Sequence, residues 1–301
     1  GLLGFDFAHG RLDVSSHPFC GGVPTDVRIT TRYNEQEFVS SLMGIVHETG
    51  HARYEQGLPR HLLGQPVAEA RSMGIHESQS LFCEMQLGHH PAFLALIAPR
   101  ICAHFGAEDA HAPAFLSLLA PRIRAHFGEQ AALAPANLEK LYNRVEPGFI
   151  RVDADEVTYP AHVILRYELE RDLIEGRIEV ADIPALWDAK MQQWLGLSTK
   201  GNYQNGCMQD IHWTDGSFGY FPSYTLGAMY AAQLRFALER ELGDMGQLIA
   251  AGRLPEIFGW LGRHIWSQGS LHGTDELIRR ATGEALNPQW LRKHLEQRYL
   301  K

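Results

Sequence analysis

The sequence predicts a mainly α-helical protein with a small β element. Apolar residues recur with helical periodicity through most of 34–145 and again in several later segments. Ahead of them, Val27, Ile29 and Thr31 alternate along the chain in the way that is typical of a short strand. With 301 residues, of which 45% are hydrophobic, the chain is long enough to bury a sizeable core.

The first long helix has recognisable start and stop signals. Asn34 is a favourable N-cap, and Glu37, three residues later, completes a variant of the capping box. Gly57 and Pro59 then form a stop signal. We therefore expect one helix between these signals, carrying its apolar residues toward the interior.

The remaining elements follow from the same patterns. We predict irregular or strand-like structure for 1–33 and an extended segment for 150–158. Further helices are predicted at 163–174, 185–196, 224–243, 246–252, 255–267 and 274–281, with a C-terminal helix from Pro288.

The first helix contains an H-E-x-x-H motif. His47 and His51 are four residues apart, so both side chains project from one helix face and can bind the same divalent ion. Glu48 follows the first histidine and can act as the general base that takes a proton from a metal-bound water. The alternative is an ordinary helix face that carries two histidines.

A zinc hydrolase site usually has three protein ligands, so a third ligand is expected from another element. The best candidate is Glu77, thirty positions after His47, at the start of a second predicted buried helix. The alternative for Glu77 is a surface carboxylate favoured by the helix dipole. Glu84, two turns later, is the alternative candidate for the third ligand. His76 is expected to hydrogen-bond to a ligand rather than to bind the metal itself.

The composition excludes several classes of partner. A formal net charge of −8 argues against nucleic acid or an anionic membrane surface as the main partner. No apolar run is long enough for a membrane span, and no signal peptide opens the chain. The four cysteines lack C-x-x-C spacing and show no disulfide framework, so we expect a cytoplasmic protein.

The chain also contains one internal repeat. Residues 91–106 recur at 113–128 with all but three of sixteen positions identical. An in-frame duplication of twenty-two residues within 91–128 explains this better than a solenoid, which needs at least three repeats. We assign the duplication no catalytic role, although it could alter the mouth of a cleft.

Several sequence blocks, in order along almost the whole chain, resemble the carboxypeptidase Taq-like family of metallocarboxypeptidases. Besides the H-E-x-x-H helix they are Gly10–Asp13, His17–Phe19, Asp26–Thr30, His76–Gln79, Ile150–Asp155, Gly206–Trp213 and Gly219–Tyr224. The resemblance implies a multi-helix peptidase fold with a deep active-site groove, one catalytic metal ion, a cytoplasmic location and a homodimer. It implies the metal ligands His47, His51 and Glu77 and the base Glu48. Zinc is the expected metal, and cobalt accepts the same ligands.

Members of that family are considerably longer than this chain. We therefore expect 1–301 to be a single catalytic domain that forms the C-terminal portion of a longer protein. The opening residues, which lack an initiator methionine, agree with this expectation.

A carboxypeptidase must bind the terminal carboxylate of its peptide substrate, and a guanidinium does so through two parallel hydrogen bonds. Arg151 is the first candidate because its block matches the family and lies in a predicted extended segment. Arg28 is the second. Either arginine could instead simply pair with Asp153, Asp155 or Asp26.

The developing oxyanion needs a further donor, and Tyr224, Tyr220 and His212 are the candidates in that order. The alternative for either tyrosine is a core aromatic on a tight turn. His17 is a further candidate for contact with substrate, although it could equally order its own loop.

The leading hypothesis is thus a zinc or cobalt carboxypeptidase that removes single residues from peptides with a free C-terminus. An endopeptidase or aminopeptidase with the same metal site is one alternative. A non-catalytic metal-binding or peptide-binding module is another, but such a module has no need for the base Glu48.

Overall fold

The computed structural model describes residues 1–33, 38–105 and 144–300. The strands are β1 (Gly10–Val14), β2 (Cys20–Val23) and β3 (Asp26–Thr31). The helices are α1 (Phe38–Gly57), α2 (Met73–Leu81), α3 (Pro91–Phe105), α4 (Tyr159–Ile174), α5 (Ile183–Leu195), α6 (Pro222–Leu242), α7 (Met245–Ala250), α8 (Leu254–His264), α9 (Thr274–Thr282) and α10 (Gln289–Tyr299). The predicted mainly helical class with a small β element is confirmed.

The sheet has the strand order β1-β3-β2. β3 pairs in parallel with β1 and antiparallel with β2, so the predicted strand is the central one. Val27 and Ile29 point to one face and are buried against Phe5 and Ala52. Since Ala52 belongs to α1, the sheet packs directly on the helix that carries the H-E-x-x-H motif.

Close packing of two helices determines where that motif lies. A Cβ placed on Gly50 of α1 would lie 2.3 Å from the carbonyl oxygen of Gln79 and 2.6 Å from the Cα of Ser80, both in α2. Only glycine permits this approach of two backbones. The sequence between His47 and His51 therefore brings both histidines up to α2, where Glu77 is located.

The end of α2 continues into a π-helical turn at Phe82–Gly88. Such turns interrupt the regular α-helical hydrogen-bond pattern and are frequent at functional sites. In this turn the side chain of Glu84 points toward α1, where it contacts His47.

Within the described residues, the chain divides into two compact units. The first contains 1–33, 38–105 and 227–294, and the second contains 144–226 and 295–300. The core of the second unit lies between α4 and α5, where Leu165, Leu169, Trp187, Met191 and Leu195 pack together. The expectation of a single catalytic domain stays a prediction.

Some local expectations need adjustment. The segment predicted to be extended at 150–158 contains a 3-10 turn at Arg151–Asp153, and α4 begins at Tyr159, four residues earlier than predicted. Pro160 explains the early start, because proline is well tolerated in the first turn of a helix. The capping residues at 34–37 and the second copy of the repeat lie outside the described residues.

None of the helices in the described ranges is long and apolar enough to cross a membrane.

Candidate functional site

Three predicted ligands converge in the first unit. One ligand atom each of His47, His51 and Glu77 lies within 4.8 Å of the other two. The carboxylate oxygens of Glu77 are 3.8 Å from Nε2 of His47 and 3.5 Å from Nε2 of His51. Two ligands of one tetrahedral zinc ion, each about 2.0–2.2 Å from the metal, are separated by similar distances. The donor set therefore fits a divalent ion such as zinc.

The imidazole of His47 is oriented by a hydrogen bond to a carboxylate on the side away from Glu77. Its Nδ1 donates to Glu84 over 2.7 Å, which leaves Nε2 directed at Glu77. A carboxylate in this position fixes the tautomer and the orientation of a metal-binding imidazole and increases its basicity. Glu84, the reserve candidate for a ligand, thus orients a predicted ligand, His47.

The imidazole of His51 is held by a longer chain of hydrogen bonds. Its Nδ1 lies 2.6 Å from Nδ1 of His76, and Nε2 of His76 lies 2.7 Å from Glu55. Because an ionised Glu55 can only accept, His76 donates to it from Nε2 and accepts at Nδ1 from His51. Because Nδ1 of His51 carries the proton in this chain of hydrogen bonds, Nε2 of His51 has a free lone pair, which is directed at Glu77. The predicted supporting role of His76 agrees with this arrangement.

A second glycine determines the position of the third predicted ligand. A Cβ on Gly227 of α6 would lie 2.8 Å from both Cβ and Cγ of Glu77. The absence of a side chain at this position lets α6 cover Glu77, which is 4% exposed. Glu77 is therefore confined between α6 and the two histidines of α1.

The site has the electrostatics of a cation site. Burial alone would lower the pKa of His47, but the carboxylates of Glu84 and Glu77 raise it to about 10. Burial lowers the pKa of His51 well below its usual value, and the neighbouring His47 and His76 add to that effect. Without a metal, the acidic groups therefore keep a proton on His47, and a bound cation would replace that proton.

Glu48 lies beside these ligands on α1 and is 7% exposed. Burial raises the pKa of Glu48 to about 7, and the charges of Glu77 and Glu84 act in the same direction. A carboxylate that is largely shielded from bulk water is a more basic proton acceptor than an exposed one.

A cysteine also lies near these acidic groups. Burial, together with the charges of Glu48 and Glu55, raises the pKa of Cys20 to about 12. Its thiol is therefore protonated at neutral pH, and a protonated thiol is a poor nucleophile and a poor metal ligand.

The second unit brings together a different group of predicted residues. Arg151 is 6% exposed and binds Asp210 through Nε and through Nη2, the latter over 2.8 Å. Its Nη1 donates to the hydroxyl of Tyr159 over 2.6 Å. The aspartate partner differs from those that the sequence had offered as alternatives, since it comes from the block at 206–213.

The three oxyanion candidates contact one another, and one of them, Tyr224, also contacts this arginine. Nε2 of His212 and the hydroxyl of Tyr224 are 3.1 Å apart. The guanidinium of Arg151 lies 5.0 Å from the ring centroid of Tyr224, and the ring of Tyr220 lies 5.3 Å from the same ring. We call this group, Arg151, Asp210, His212, Tyr220 and Tyr224, the arginine cluster.

Two other candidates lie on or beside the sheet of the first unit. Arg28 is on β3, half-exposed, and its Nη2 is 2.7 Å from Asp26. This pair is the simple alternative that the sequence offered for Arg28. His17 places its Nδ1 2.6 Å from the carbonyl oxygen of Pro18, so its ring orders its own loop. A Cβ placed on Gly44 of α1 would lie 3.6 Å from Cγ of Pro18, so this loop lies beside α1.

Several residues of these two groups were missed by sequence reasoning. Glu55 lies one helical turn after His51, and that i,i+4 spacing was a usable signal. Asp210 lies two residues before a candidate that was recognised, but nothing local indicated that it would bind Arg151. Tyr159 carried no signal, because its contact depends on the 3-10 turn at Arg151–Asp153.

Comparison with known proteins adds an independent line of information. A family model described as carboxypeptidase Taq (M32) metallopeptidase matches 1–112 and 110–299. The two matched segments meet within the region of the internal repeat. Carboxypeptidase 1 of Bacillus subtilis is 39% identical over 298 residues, and thermostable carboxypeptidase 1 of Thermus thermophilus is 40% identical over 297 residues.

Those alignments cover 99% and 98% of this chain but 55% and 54% of the two relatives. The chain thus spans about half the length of the curated relatives that it matches. Among solved structures, Trypanosoma cruzi metallocarboxypeptidase 1 aligns with a TM-score of 0.85 at 50% identity, covering 100% of this chain and 58% of that one. An M32 carboxypeptidase from Deinococcus radiodurans aligns with a TM-score of 0.84 at 34% identity, covering 100% and 58%.

Proposed function

This chain belongs to the carboxypeptidase Taq (M32) family of metallopeptidases, and from that premise we propose that it is a metal-dependent carboxypeptidase that releases single amino acids from peptide C-termini. The observation that carries the proposal is the convergence of His47, His51 and Glu77 on one point. An orienting partner behind each imidazole supports it, because an ordinary helix face has no need of one.

The proposed chemistry uses Glu48 as the general base. A divalent ion at the three ligands would acidify a water and polarise the scissile carbonyl. Glu48 then takes the proton from the attacking water and returns it to the leaving amine. Its place on α1, next to one ligand and one turn before the other, supports this role.

We propose that the arginine cluster recognises the substrate. Arg151 is the candidate for the terminal carboxylate, and Tyr224, Tyr220 and His212 are the candidates for donors to the developing oxyanion. Their mutual contacts support a shared role, since the four come from three separate sequence blocks. Arg28 and His17 are further candidates for contact with substrate; in this structure Arg28 pairs with Asp26, and His17 contacts the carbonyl oxygen of Pro18.

Zinc is the proposed metal, with cobalt as a metal that the same ligands accept. The nitrogen and carboxylate donors support that choice. We further propose a cytoplasmic homodimer with a deep substrate groove, which the family resemblance implies. Cys20, Cys83 and Cys207, the described cysteines, carry free thiols and agree with a reducing compartment.

The test measures free amino acids released from blocked dipeptides and longer peptides by the zinc-loaded protein. We expect loss of one C-terminal residue at a time, and we expect Glu48→Gln to abolish it while zinc binding persists. Release of N-terminal residues would identify an aminopeptidase, and internal fragments an endopeptidase. A zinc-bound protein that cleaves none of these peptides would refute the proposal and favour a binding module.

A further inference from the structure

A second arginine lies beneath the arginine cluster. Arg166, on α4, is 0% exposed. Its guanidinium is 3.9 Å from the ring centroid of Trp213 and 4.3 Å from that of Phe221. None of its three side-chain nitrogens has a hydrogen-bond partner within the described part of the chain. Buried donors without a hydrogen-bond partner lower the stability of a protein, so a buried guanidinium of this kind needs an explanation.

The nearest carboxylate is shared unequally between the two arginines. Asp210 binds Nη2 of Arg151 over 2.8 Å, whereas its Oδ2 lies 4.0 Å from Nη1 of Arg166. The other acidic side chain nearby, Glu170, already accepts from the indole nitrogen of Trp213 and from the backbone of Gly219. Among the described residues, Asp210 is the carboxylate that lies within ion-pair range of the Arg166 guanidinium, at 4.0 Å.

The binding of Asp210 to Arg151 conflicts with the proposed role of Arg151. One edge of its guanidinium is occupied by Asp210 and its Nη1 donates to Tyr159, so a substrate carboxylate would compete with a buried partner. The conflict disappears if Asp210 has another cation to bind. Arg166 is such a cation, and it is within reach.

We propose that Asp210 exchanges between the two arginines. In the substrate-free protein Asp210 binds Arg151; when a C-terminal carboxylate binds Arg151, Asp210 turns to Arg166. Arg166 is thus a positioning residue, which makes Arg151 available without leaving a carboxylate buried and unpaired. This inference rests on the proposed function, because it presumes that Arg151 binds the substrate carboxylate.

The movement required is small. A charge-assisted hydrogen bond is about 2.7–2.9 Å long, so the Asp210 carboxylate must approach Arg166 by about 1 Å. Arg166 itself need not move, because Trp213 and Phe221 already hold its guanidinium plane.

The test uses matched peptides that differ only in a free or an amidated C-terminus. Their binding to the zinc-loaded full chain is measured calorimetrically in a Glu48→Gln background, and KM and kcat are measured with Glu48 intact. For Arg166→Met we expect free-acid affinity to fall by about tenfold or more, since a charge-assisted bond is worth about 1.5–3 kcal/mol. We expect amide binding and kcat to change much less. Arg166→Lys, which keeps the cation, should retain most of the affinity.

The double variant Arg166→Met/Asp210→Asn separates exchange from a merely structural role. It removes the competing carboxylate, so we expect free-acid affinity to return toward that of the parent protein. Arg298→Met is the matched control, because it breaks another poorly exposed ion pair of the same unit, with Glu156. It should lower thermal stability without changing discrimination between acid and amide.

Unchanged free-acid affinity in Arg166→Met, or no recovery in the double variant, would overturn the inference. If Arg166→Met does not fold, the single variant Asp210→Asn tests the inference. If Asp210 exchanges between the two arginines, this variant should bind free-acid peptides at least as tightly as the parent protein does. A tenfold loss in folded Asp210→Asn would contradict it. A parent protein that binds zinc but neither cleaves nor binds free-acid peptides would instead refute the proposed function.

Discussion

Nδ1 of His47 donates a 2.7 Å hydrogen bond to Glu84, which lies in the π-helical turn that follows α2. The contact crosses from α1 to the neighbouring segment and directs Nε2 of His47 toward Glu77. The orientation of this predicted ligand therefore depends on a residue thirty-seven positions away.

We predict that Glu84→Gln weakens zinc binding by about ten- to a hundredfold, the usual effect of removing a carboxylate behind a metal-binding histidine. The amide keeps the shape of the side chain but loses the charge that makes His47 more basic. Competition with a chromophoric chelator measures the change. Unaltered affinity in the folded variant would mean that Glu84 does not orient His47.

Glu55→Gln tests the chain that supports His51. We predict a smaller loss of zinc affinity than for Glu84→Gln, at the lower end of about ten- to a hundredfold, because the effect passes through His76. Glu168→Gln, which breaks a partly exposed pair with Lys190 in the other unit, is the control. A loss of equal size in the control would assign the effect to general destabilisation.

Gly50→Ala is predicted to destabilise the fold by about 1–3 kcal/mol, as overpacking of a tight interior usually does. The added Cβ would meet the backbone of Gln79 and Ser80, which cannot move independently of α2. Denaturant unfolding measures the loss. In α8, Gly259→Ala is the matched control, since among the described residues its Cβ would touch only the end of the Arg263 side chain, at 3.6 Å. There alanine should be neutral or stabilising, because it favours helix more than glycine does.

Gly227→Ala is predicted to affect the metal site more than the fold. Its Cβ would lie 2.8 Å from Cβ and Cγ of Glu77, so the Glu77 side chain must leave the position in which it faces the two histidines. We expect zinc affinity to fall by at least about tenfold, on the scale of other disturbed metal sites. Chelator competition and thermal unfolding of the zinc-free protein separate the two effects. A large loss of zinc-free stability with unchanged affinity would contradict the prediction.

Much of the architecture was readable from local patterns. Gly57 and Pro59 marked the end of α1, and the alternation at Val27 and Ile29 identified the central strand, because both signals depend on neighbouring residues only. The resemblance to the carboxypeptidase Taq-like family is likewise confirmed, since its blocks keep their order along the chain. The assignments of individual site residues stay predictions.

The segment around Arg151 shows where local patterns were insufficient. Its residues suggested an extended conformation, but the structure has a 3-10 turn there, held by a 2.7 Å hydrogen bond from the backbone of Arg151 to Gln209. That contact spans fifty-eight positions, so no neighbouring residue could signal it.

The sequence by itself determined which residues can bind a cation together on α1. The spacing of His47 and His51 follows from the pitch of a helix and needs no other element. Only the tertiary structure decided which nitrogen of each imidazole faces Glu77, and that Asp210 lies between Arg151 and Arg166. The physical reason is that hydrogen bonds and ion pairs depend on distances of a few ångströms between side chains far apart in sequence, and packing alone establishes these distances.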